Sequence, residues 1–324
     1  MSYRLFVNIR IFLLLIFLFV GMYPMVTFIK AESTSMAIEV ETDPSRTAEL
    51  FDETKHMGML QIRYLDLKAD TKSGDAILLQ SPDGEAMLID AGMVATGQEL
   101  DNYLNQLNIE KLDYAVATHP HHDHIGGYHT LFHSKQIGVL LMPDLPHTTQ
   151  TYKTFIDLSN KKKIKTQYVQ ANDTFMLGDE VEVEIVSPSF TALGKARNKR
   201  NLSTAEVNNL SLVIKVTYRN NTFLFTGDIY KKQEKELIKQ TKDKLDVDLL
   251  HAPHHGDSTS SSQAFINAVS PKYTMISANI LQSIRVYNRY QKSGSEVIAT
   301  SRAENVLILS DGESITIMTE KGGH

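Results

Sequence analysis

Four histidines and one aspartate stand close together within residues 119–124. Histidine is the commonest metal ligand in proteins, and nitrogen together with carboxylate oxygen suits zinc, manganese or iron. In an extended loop His119 and His121 point the same way, and we expect Asp123 and His124 to turn towards a second metal. An engineered histidine tag would stand at a chain terminus, so this segment predicts a metal site.

A second histidine cluster occupies residues 251–255, and a Gly-Asp turn ends at Asp228. One of His254 and His255 is expected to be a further metal ligand, and the other to orient substrate or donate a proton. We expect His251 to support the site without binding metal. Asp228 follows an apolar run and is well placed to bridge two cations.

Three further features bear on the predicted metal site, and the first two each have two interpretations. Asp90 ends another apolar run, where it would hold a metal ligand by a hydrogen bond or only close a turn. Serine hydroxyls in residues 258–262 precede a predicted helix, where they would accept a phosphate or only cap the helix. The Gly126-Gly127 pair is expected to let the backbone bend tightly around the metals.

The elements that must position these residues follow from hydrophobic periodicity. Short apolar runs typical of buried strands precede each cluster, at residues 113–118, 222–226 and 247–250, and a hairpin is predicted around residues 82–84. Helical spacing predicts helices at residues 97–107, 230–241 and 263–269. Two sheets with helices outside would account for this order.

The N-terminus predicts export. Arg4 and Arg10 precede an apolar run at residues 11–29, which is typical of a signal peptide or a single membrane anchor. We therefore predict a signal peptide or anchor at residues 1–31 and a polar linker at residues 32–58, followed by the domain with the predicted metal site at residues 59–320. The protein would be secreted or held at the outer face of the cell membrane.

Composition excludes several functions. The chain has 324 residues and no cysteine, which rules out disulfides, thiolate ligands and a cysteine nucleophile. Residues 1–31 carry three basic side chains and no acid, so the remainder has 30 basic and 38 acidic side chains, a net charge of −8. Such an acidic chain is not an obvious non-specific nucleic-acid binder.

The order of these motifs resembles the metallo-β-lactamase superfamily, whose signature His-x-His-x-Asp-His matches residues 119–124. It is most similar to the soluble β-lactamase-like domain of the ComEC DNA-uptake channel and its stand-alone relatives. The supporting stretches are residues 65–67, 74–79, 88–92, 209–213, 226–228 and 254–256. The resemblance covers residues 60–280. Residues 1–324 contain no series of apolar spans, so we expect them not to form a DNA-uptake pore themselves.

The resemblance implies a four-layer αββα sandwich of the α/β (α+β) class with two divalent metal ions, zinc favoured and manganese as the alternative. His119 and His121 would hold one ion. Asp123, His124 and one histidine of the second cluster would hold the other, and Asp228 would bridge them. The superfamily's usual third histidine of the first site has no clear match. The candidates before Asp228 are His129, His133 and His147, none of them in a recognisable motif, and Asn208 or Asn209 lies where a substitute would stand.

The leading hypothesis is an exported phosphodiesterase or nuclease that uses a metal-activated water. Asp123 would accept a proton, and the spare histidine of the pair His254 and His255 would protonate the leaving group. The alternatives are an ester, lactone or amide hydrolase, including a β-lactamase, and a non-catalytic metal-stabilised binding module. The expected partner is a small-molecule or nucleic-acid phosphodiester. No stable protein partner is predicted, and membrane contact is expected only through the N-terminal segment.

Overall fold

The computed structural model describes residues 44–52, 54–69, 74–241 and 244–322. The predicted signal peptide or anchor at residues 1–31 lies outside these residues. Among the residues that are described, no helix is both long and apolar enough to cross a membrane.

The short apolar runs of the sequence form strands. The strands are β1 (Leu60–Tyr64), β2 (Ile77–Gln80), β3 (Ala86–Ile89), β4 (Lys111–Val116), β5 (Gln136–Met142), β6 (Lys165–Tyr168), β7 (Thr174–Leu177), β8 (Val181–Ser187), β9 (Val213–Tyr218), β10 (Asn221–Phe225), β11 (Leu249–His251), β12 (Tyr273–Ile276), β13 (Glu296–Ala299), β14 (Val306–Ser310) and β15 (Ile315–Thr319). In the described ranges they form an eight-stranded sheet, ordered β15-β14-β1-β2-β3-β4-β5-β6, and a seven-stranded sheet, ordered β13-β12-β11-β10-β9-β8-β7.

Helices connect many of these strands. They are α1 (Pro44–Leu50), α2 (Gly97–Gln106), α3 (His122–Ile125), α4 (Tyr128–Ser134), α5 (Gln150–Lys161), α6 (Phe190–Arg197), α7 (Thr204–Asn208), α8 (Lys231–Thr241), α9 (Gln263–Val269), α10 (Ile284–Lys292) and α11 (Thr300–Ala303). Helix α2 buries Leu100, Tyr103 and Leu104, the spacing that places side chains on one helical face. Helix α9 begins where the Ser262 hydroxyl accepts the backbone N–H of Phe265.

Three apolar cores separate four layers. The central core lies between the two sheets and contains side chains of both, such as Ile62 and Phe223. A second core joins α2, α4 and α5 to the eight-stranded sheet, with Phe155 fully buried. A third joins α8, α9 and α10 to the seven-stranded sheet around Phe265. The predicted αββα sandwich is confirmed, because each sheet is covered by helices on its outer face.

Several helices lie outside the three that helical spacing predicts, and α1 and α10 are two of them. Helix α1 forms within residues 32–58, which were predicted to be a linker, and its Leu50 packs in a small core with Leu307 and Leu309. Residues 44–50 of the predicted linker are therefore helical, and Phe51 and Met59 pack beside Leu50 in this small core. Helix α10 was not predicted, because its few apolar positions, Val286 and Tyr290 among them, stand between charged residues.

Candidate metal centre

Four loops carry the candidate ligands, and each follows the carboxyl end of a strand. Asp90 follows β3 and residues 119–124 follow β4, two neighbouring parallel strands of the first sheet. Asp228 follows β10 and residues 252–255 follow β11, which are parallel neighbours in the second sheet. The carboxyl ends of parallel strands share one edge of a sheet, so both sheets deliver polar loops to one place.

The carboxylate of Asp228 lies at the centre of these loops and is only 3% exposed. Its Oδ2 atom is 3.3 Å from Nε2 of His124 and 3.8 Å from Nε2 of His119. The same oxygen is 3.7 Å from Nε2 of His254, and Oδ1 is 3.6 Å from Nε2 of His255. The fold thus brings together the Gly-Asp turn and histidines of both clusters, with one carboxylate facing four imidazoles.

Hydrogen bonds behind the rings determine the tautomers of His119 and His124. Asp90 Oδ2 accepts the hydroxyl proton of Thr118 at 2.6 Å and lies 2.7 Å from Nδ1 of His124. A carboxylate only accepts, so His124 carries a proton on Nδ1. Thr118 donates its one proton to Asp90 and therefore accepts from Nδ1 of His119, at 3.1 Å. In the neutral rings, both Nε2 lone pairs face Asp228.

The second cluster is held in the same way. Nδ1 of His255 donates to the carbonyl oxygen of Ser277 at 2.9 Å. Nδ1 of His254 lies 2.7 Å from the Thr259 hydroxyl, which donates to Asp257 at 2.7 Å. Thr259 therefore accepts from His254, and both neutral rings again carry their lone pair on Nε2. The two histidines differ in exposure, since His255 is buried and His254 is partly open to solvent.

His121 adds another nitrogen. Its Nδ1 is 3.0 Å from Nε2 of His119, and its ring is partly exposed. Burial, together with the charge of neighbouring His124, lowers the pKa of His121 to about 4. The ring is therefore neutral at pH 7, which is the form that binds a metal.

Several buried atoms of the centre lack hydrogen-bond partners within the described chain. They are Nε2 of His124, Nε2 of His255, Oδ1 of Asp228 and Oδ1 of Asp75. One donor atom from each of these four residues lies within 4.8 Å of the other three. Buried polar atoms are normally paired, so convergent unpaired nitrogen and oxygen atoms fit a divalent cation of the kind that the superfamily resemblance implies.

The charges of the centre balance one another. Burial alone would raise the pKa of Asp228, but the charges of His124 and His255 outweigh it and hold that pKa well below its usual value. Burial would lower the pKa of His255, but the carboxylates of Asp75 and Asp228 raise it to about 9. Without a metal, protons on imidazoles therefore balance the carboxylates, and binding a cation would release them.

Asp123 lies at the side of the centre. It is partly exposed, and its Oδ1 is 3.7 Å from Nδ1 of the exposed His122. It is not one of the four residues whose donor atoms converge, whereas the buried Asp75 is. Sequence reasoning did not single out Asp75, although it stands in the quoted stretch at residues 74–79. Its one available signal was an aspartate directly before an apolar strand.

Three histidines lie between residues 119–124 and Asp228, the interval in which the superfamily has the third histidine of the first site. His133 is exposed, and Nε2 of His129 lies 3.0 Å from the carbonyl oxygen of Thr151. The ring of His147 lies 5.7 Å from the ring of His121, and its Nε2 is buried without a hydrogen-bond partner in the described chain. Of the three, His147 is the one placed beside the first-site pair.

The two asparagines considered as substitutes have different surroundings. Asn209 accepts hydrogen bonds from the backbone N–H groups of Tyr230 and Gln233 at the start of α8. Its oxygen therefore caps a helix. Asn208 is 1% exposed, and its Oδ1 has no hydrogen-bond partner in the described chain.

The serines of residues 258–262 support the capping interpretation. Ser262 caps α9, Ser260 donates to the carbonyl oxygen of Pro253 at 2.7 Å, and both Ser260 and Ser261 are buried. The hydroxyls of Ser260, Ser261 and Ser262 therefore already have protein partners.

The tight bend expected at the glycine pair is not present. Gly126 and Gly127 have φ values of −62° and −65°, which any residue adopts. Both are needed for close approach instead, because a Cβ at Gly127 would lie 2.0 Å from the carbonyl oxygen of Ala91. The pair thus packs the first cluster against the loop that carries Asp90.

Comparison with known proteins agrees with this geometry. The family model of the metallo-β-lactamase superfamily matches residues 69–278, and the chain therefore belongs to this superfamily. A solved structure of a CmlA β-hydroxylase mutant has the same fold, with a TM-score of 0.50 and 12% identity over 76% of this chain and 53% of that one.

Two curated relatives match about two thirds or more of the chain. ComE operon protein 3 of Bacillus subtilis (strain 168) is 23% identical over 215 residues, which cover 66% of this chain and 25% of the relative. Competence protein ComA of Neisseria gonorrhoeae is 26% identical over 238 residues, which cover 71% and 30%. The chain thus spans less than a third of the length of these relatives.

Proposed function

We propose that this protein is an exported metal-dependent phosphodiesterase or nuclease. The observation that carries the proposal is the Asp228 carboxylate, which faces the Nε2 lone pairs of four histidines from two sheets. A carboxylate in that position suits the bridging of two cations, the arrangement that favours in-line displacement at phosphorus. The resemblance to the DNA-uptake domain, together with a relative named as a competence protein, favours a nucleic-acid phosphodiester over an amide or lactone.

The centre would hold one or two divalent ions, with zinc or manganese as candidates. Such ions supply Lewis-acid polarisation of the phosphoryl group and lower the pKa of a water molecule for attack near neutral pH. His119, His124 and His255 would hold them, since their tautomers present Nε2 lone pairs to Asp228, and His121 would add a nitrogen beside His119. Preorganised ligands need little rearrangement when the ions bind.

Asp123 would accept a proton from the attacking water. Burial raises its pKa, but the charges of His124, His255 and His122 together outweigh burial and lower the pKa of Asp123 below the ordinary value. The carboxylate is therefore ionised at neutral pH, and its partial exposure leaves it accessible to water and substrate.

His254 would protonate the leaving group. Its partly exposed ring lies between the centre and solvent, packed against Tyr230 at 4.9 Å between ring centroids. The chain from Asp257 through Thr259 keeps a proton on Nδ1, so Nε2 is the atom that exchanges protons with a substrate. His255 is buried and is better suited to hold a metal ion than to reach a leaving group.

The assay uses the purified full chain with zinc or manganese, bis-p-nitrophenyl phosphate and DNA as phosphodiesters, and ester, lactone and β-lactam substrates beside them. Asp228→Asn should lower phosphodiester hydrolysis by about 100-fold or more, because it weakens the bridging ligand. The matched control is Asp113→Asn, an aspartate on β4 that accepts the backbone N–H of Ala86. Bound metal with hydrolysis of esters or lactones but of no phosphodiester would refute the proposal.

Export is tested separately, in cells that produce the protein. We expect a protease added to intact cells to cleave the anchored protein, or the protein to be recovered from the medium. Protection from protease until the cells are lysed, with none in the medium, would contradict export.

A further inference from the structure

Helix α10 carries three cations on the face that it turns to solvent. Its apolar side chains, such as Val286 and Tyr290, are buried in the third core. Arg285, Arg289 and Lys292 follow at intervals of four and three residues, which places them side by side on one helical face. Arg285 and Lys292 are exposed, and Arg289 is partly exposed. We name these three side chains the α10 basic surface.

The surface is concave and its charge is uncompensated. Helix α10 contains no acidic residue, although the chain as a whole is acidic. Among the residues that the structure describes, no carboxylate forms an ion pair with Arg285, Arg289 or Lys292. With Gln263 and Asn288, these three line a cavity of about 340 Å³, and none of these described lining residues is acidic. A concave group of cations without carboxylates attracts anions.

The loop of residues 257–262 connects this surface to the metal centre. The hydroxyl of Thr259 accepts from Nδ1 of His254, and the carbonyl oxygen of Ser261 accepts from the guanidinium of Arg289. Thr259 and Ser261 are two residues apart, so their Cα atoms are at most about 7 Å apart. The proposed proton donor and Arg289 therefore contact the same short segment of chain.

The loop also carries a cation of its own. The ammonium group of exposed Lys231 donates to the carbonyl oxygen of Ser258 at 2.6 Å. The carboxylates that contact this loop are already engaged, because Asp257 accepts from Thr259 and buried Glu234 accepts two backbone N–H groups. Positive charge therefore continues from beside the centre to α10.

We propose that the α10 basic surface binds phosphate groups of a nucleic-acid strand whose scissile phosphate lies at the metal centre. Guanidinium and ammonium groups are the usual partners of phosphate oxygens. Phosphates follow one another along one strand of a duplex at about 3.4 Å, so a few nucleotides span the loop. A small phosphodiester reaches only the centre, whereas a strand also reaches α10. The inference rests on the proposed function for the position of the scissile bond.

The first measurement is strand binding without turnover. Fluorescence anisotropy follows a labelled DNA single strand with phosphorothioate linkages, which keep the charge and resist hydrolysis, as the metal-loaded full chain is added. Arg285→Gln with Lys292→Gln removes two exposed charges, and Arg289 is kept because it holds the loop. The matched control is Lys161→Gln with Lys162→Gln, two exposed lysines at the end of α5, which covers the other sheet. Circular dichroism checks that each variant is folded.

We expect the α10 double variant to bind the strand at least about fivefold more weakly at moderate salt, with the control within about twofold of the wild type. The slope of log affinity against log salt should fall by about 1.4, because each phosphate contact of a single strand contributes about 0.7. In hydrolysis assays, the ratio of kcat/KM for an ordinary strand to kcat/KM for bis-p-nitrophenyl phosphate should fall by at least about fivefold in the same variant.

Several outcomes would overturn the proposal. Strand affinity of the α10 double variant within about twofold of the wild type would do so. An equal loss in the control would also do so, since only net charge would then matter. A dinucleotide that binds as tightly as the strand would show a site for a small anion. Vesicles of phosphatidylglycerol that bind through α10 while the strand does not would assign the surface to a membrane.

A second variant covers failure of the double variant to fold. Lys292→Glu reverses one exposed charge and should also weaken strand binding, so a folded Lys292→Glu with wild-type affinity refutes the proposal. Strand binding that depends on α10, in a wild-type chain that hydrolyses no phosphodiester, would refute the proposed function and leave this surface in place. Wild-type hydrolysis of phosphodiesters, beside strand binding that is indifferent to α10, would refute this inference alone.

Discussion

Replacing Asp90 by Asn should disable two metal ligands at once. Asp90 accepts the backbone N–H of Thr118 at 2.7 Å with Oδ1, and Oδ2 faces the Thr118 hydroxyl and Nδ1 of His124. In the variant, an amide NH2 replaces Oδ2 and donates to both groups. His124 must then accept on Nδ1 and carry its proton on Nε2. Thr118, no longer donating to residue 90, becomes free to donate to His119, which moves that proton to Nε2 as well.

The magnitude follows from the number of ligands affected. Loss of a partner that orients one metal-binding histidine costs about 10–100-fold in metal affinity. Because two rings, His119 and His124, lose their correct tautomer together, we expect zinc affinity to fall by about 100-fold or more. That factor corresponds to about 2.8 kcal/mol, at about 1.4 kcal/mol for each tenfold change. Backbone strain does not contribute, since Asp90 has φ 59° and Asn tolerates this left-handed region.

Calorimetric titration of the metal-free chain with zinc measures the effect, and nitrogen-15 NMR of the imidazoles reports the tautomers directly. Asp113→Asn is the matched control, because its carboxylate also accepts a backbone N–H but lies away from the centre. Zinc affinity of Asp90→Asn within threefold of the wild type, or His124 still protonated on Nδ1, would refute the tautomer argument.

Gly74→Ala should prevent stable folding or lower the free energy of unfolding by about 3 kcal/mol or more, because at φ +71° its Cβ would overlap a neighbouring carbonyl oxygen. Gly84→Ala has no atom within 4 Å of its Cβ, so only its positive φ lowers the free energy of unfolding, by about 1 kcal/mol. Urea unfolding compares the two variants, and equal losses would contradict the packing argument. Thr259→Val should lower kcat for phosphodiester hydrolysis by about 10–100-fold with metal content unchanged. The reason is that Nδ1–H of His254 loses the hydroxyl oxygen that accepts its hydrogen bond. An unaltered kcat would show that His254 is not the proton donor. Glu234→Ala should lower the free energy of unfolding in urea by about 1–3 kcal/mol. Its carboxylate accepts hydrogen bonds from two backbone N–H groups at the start of α9, and the variant leaves both without a partner. A change below about 0.5 kcal/mol would show that water replaces the carboxylate.

Sequence reasoning located the strands and the polar residues that end them. The alternation of apolar residues and the turn residues after them are local signals, so β10 followed by Asp228 could be recognised without a structure. The pattern at residues 119–124 is also local, because a loop directly after a buried strand can direct several side chains to one side. Family resemblance supplied the layer order, which periodicity alone left open.

The surroundings of each histidine were decided by long-range contacts. His254 and His255 are adjacent in sequence and equivalent as a pattern, yet one bonds to a threonine at the surface and the other to a buried carbonyl oxygen. Which of them would hold a metal and which would meet substrate in the proposed function therefore depends on β12 and on the loop before α9. The same holds for Leu50, whose helix exists because a hairpin more than 250 residues away covers it.

The sequence by itself determined the chemical types of the ligands and the strand ends on which they stand, because both are written within a few neighbouring residues. Only the tertiary structure decided that Asp75 joins His124 and Asp228 in one buried set while Asp123 stands at its side. The physical reason is that the position of a buried charged side chain depends on the groups of opposite charge or hydrogen-bonding character that surround it. For Asp75 those groups come from loops of both sheets, which meet only when the sheets pack face to face.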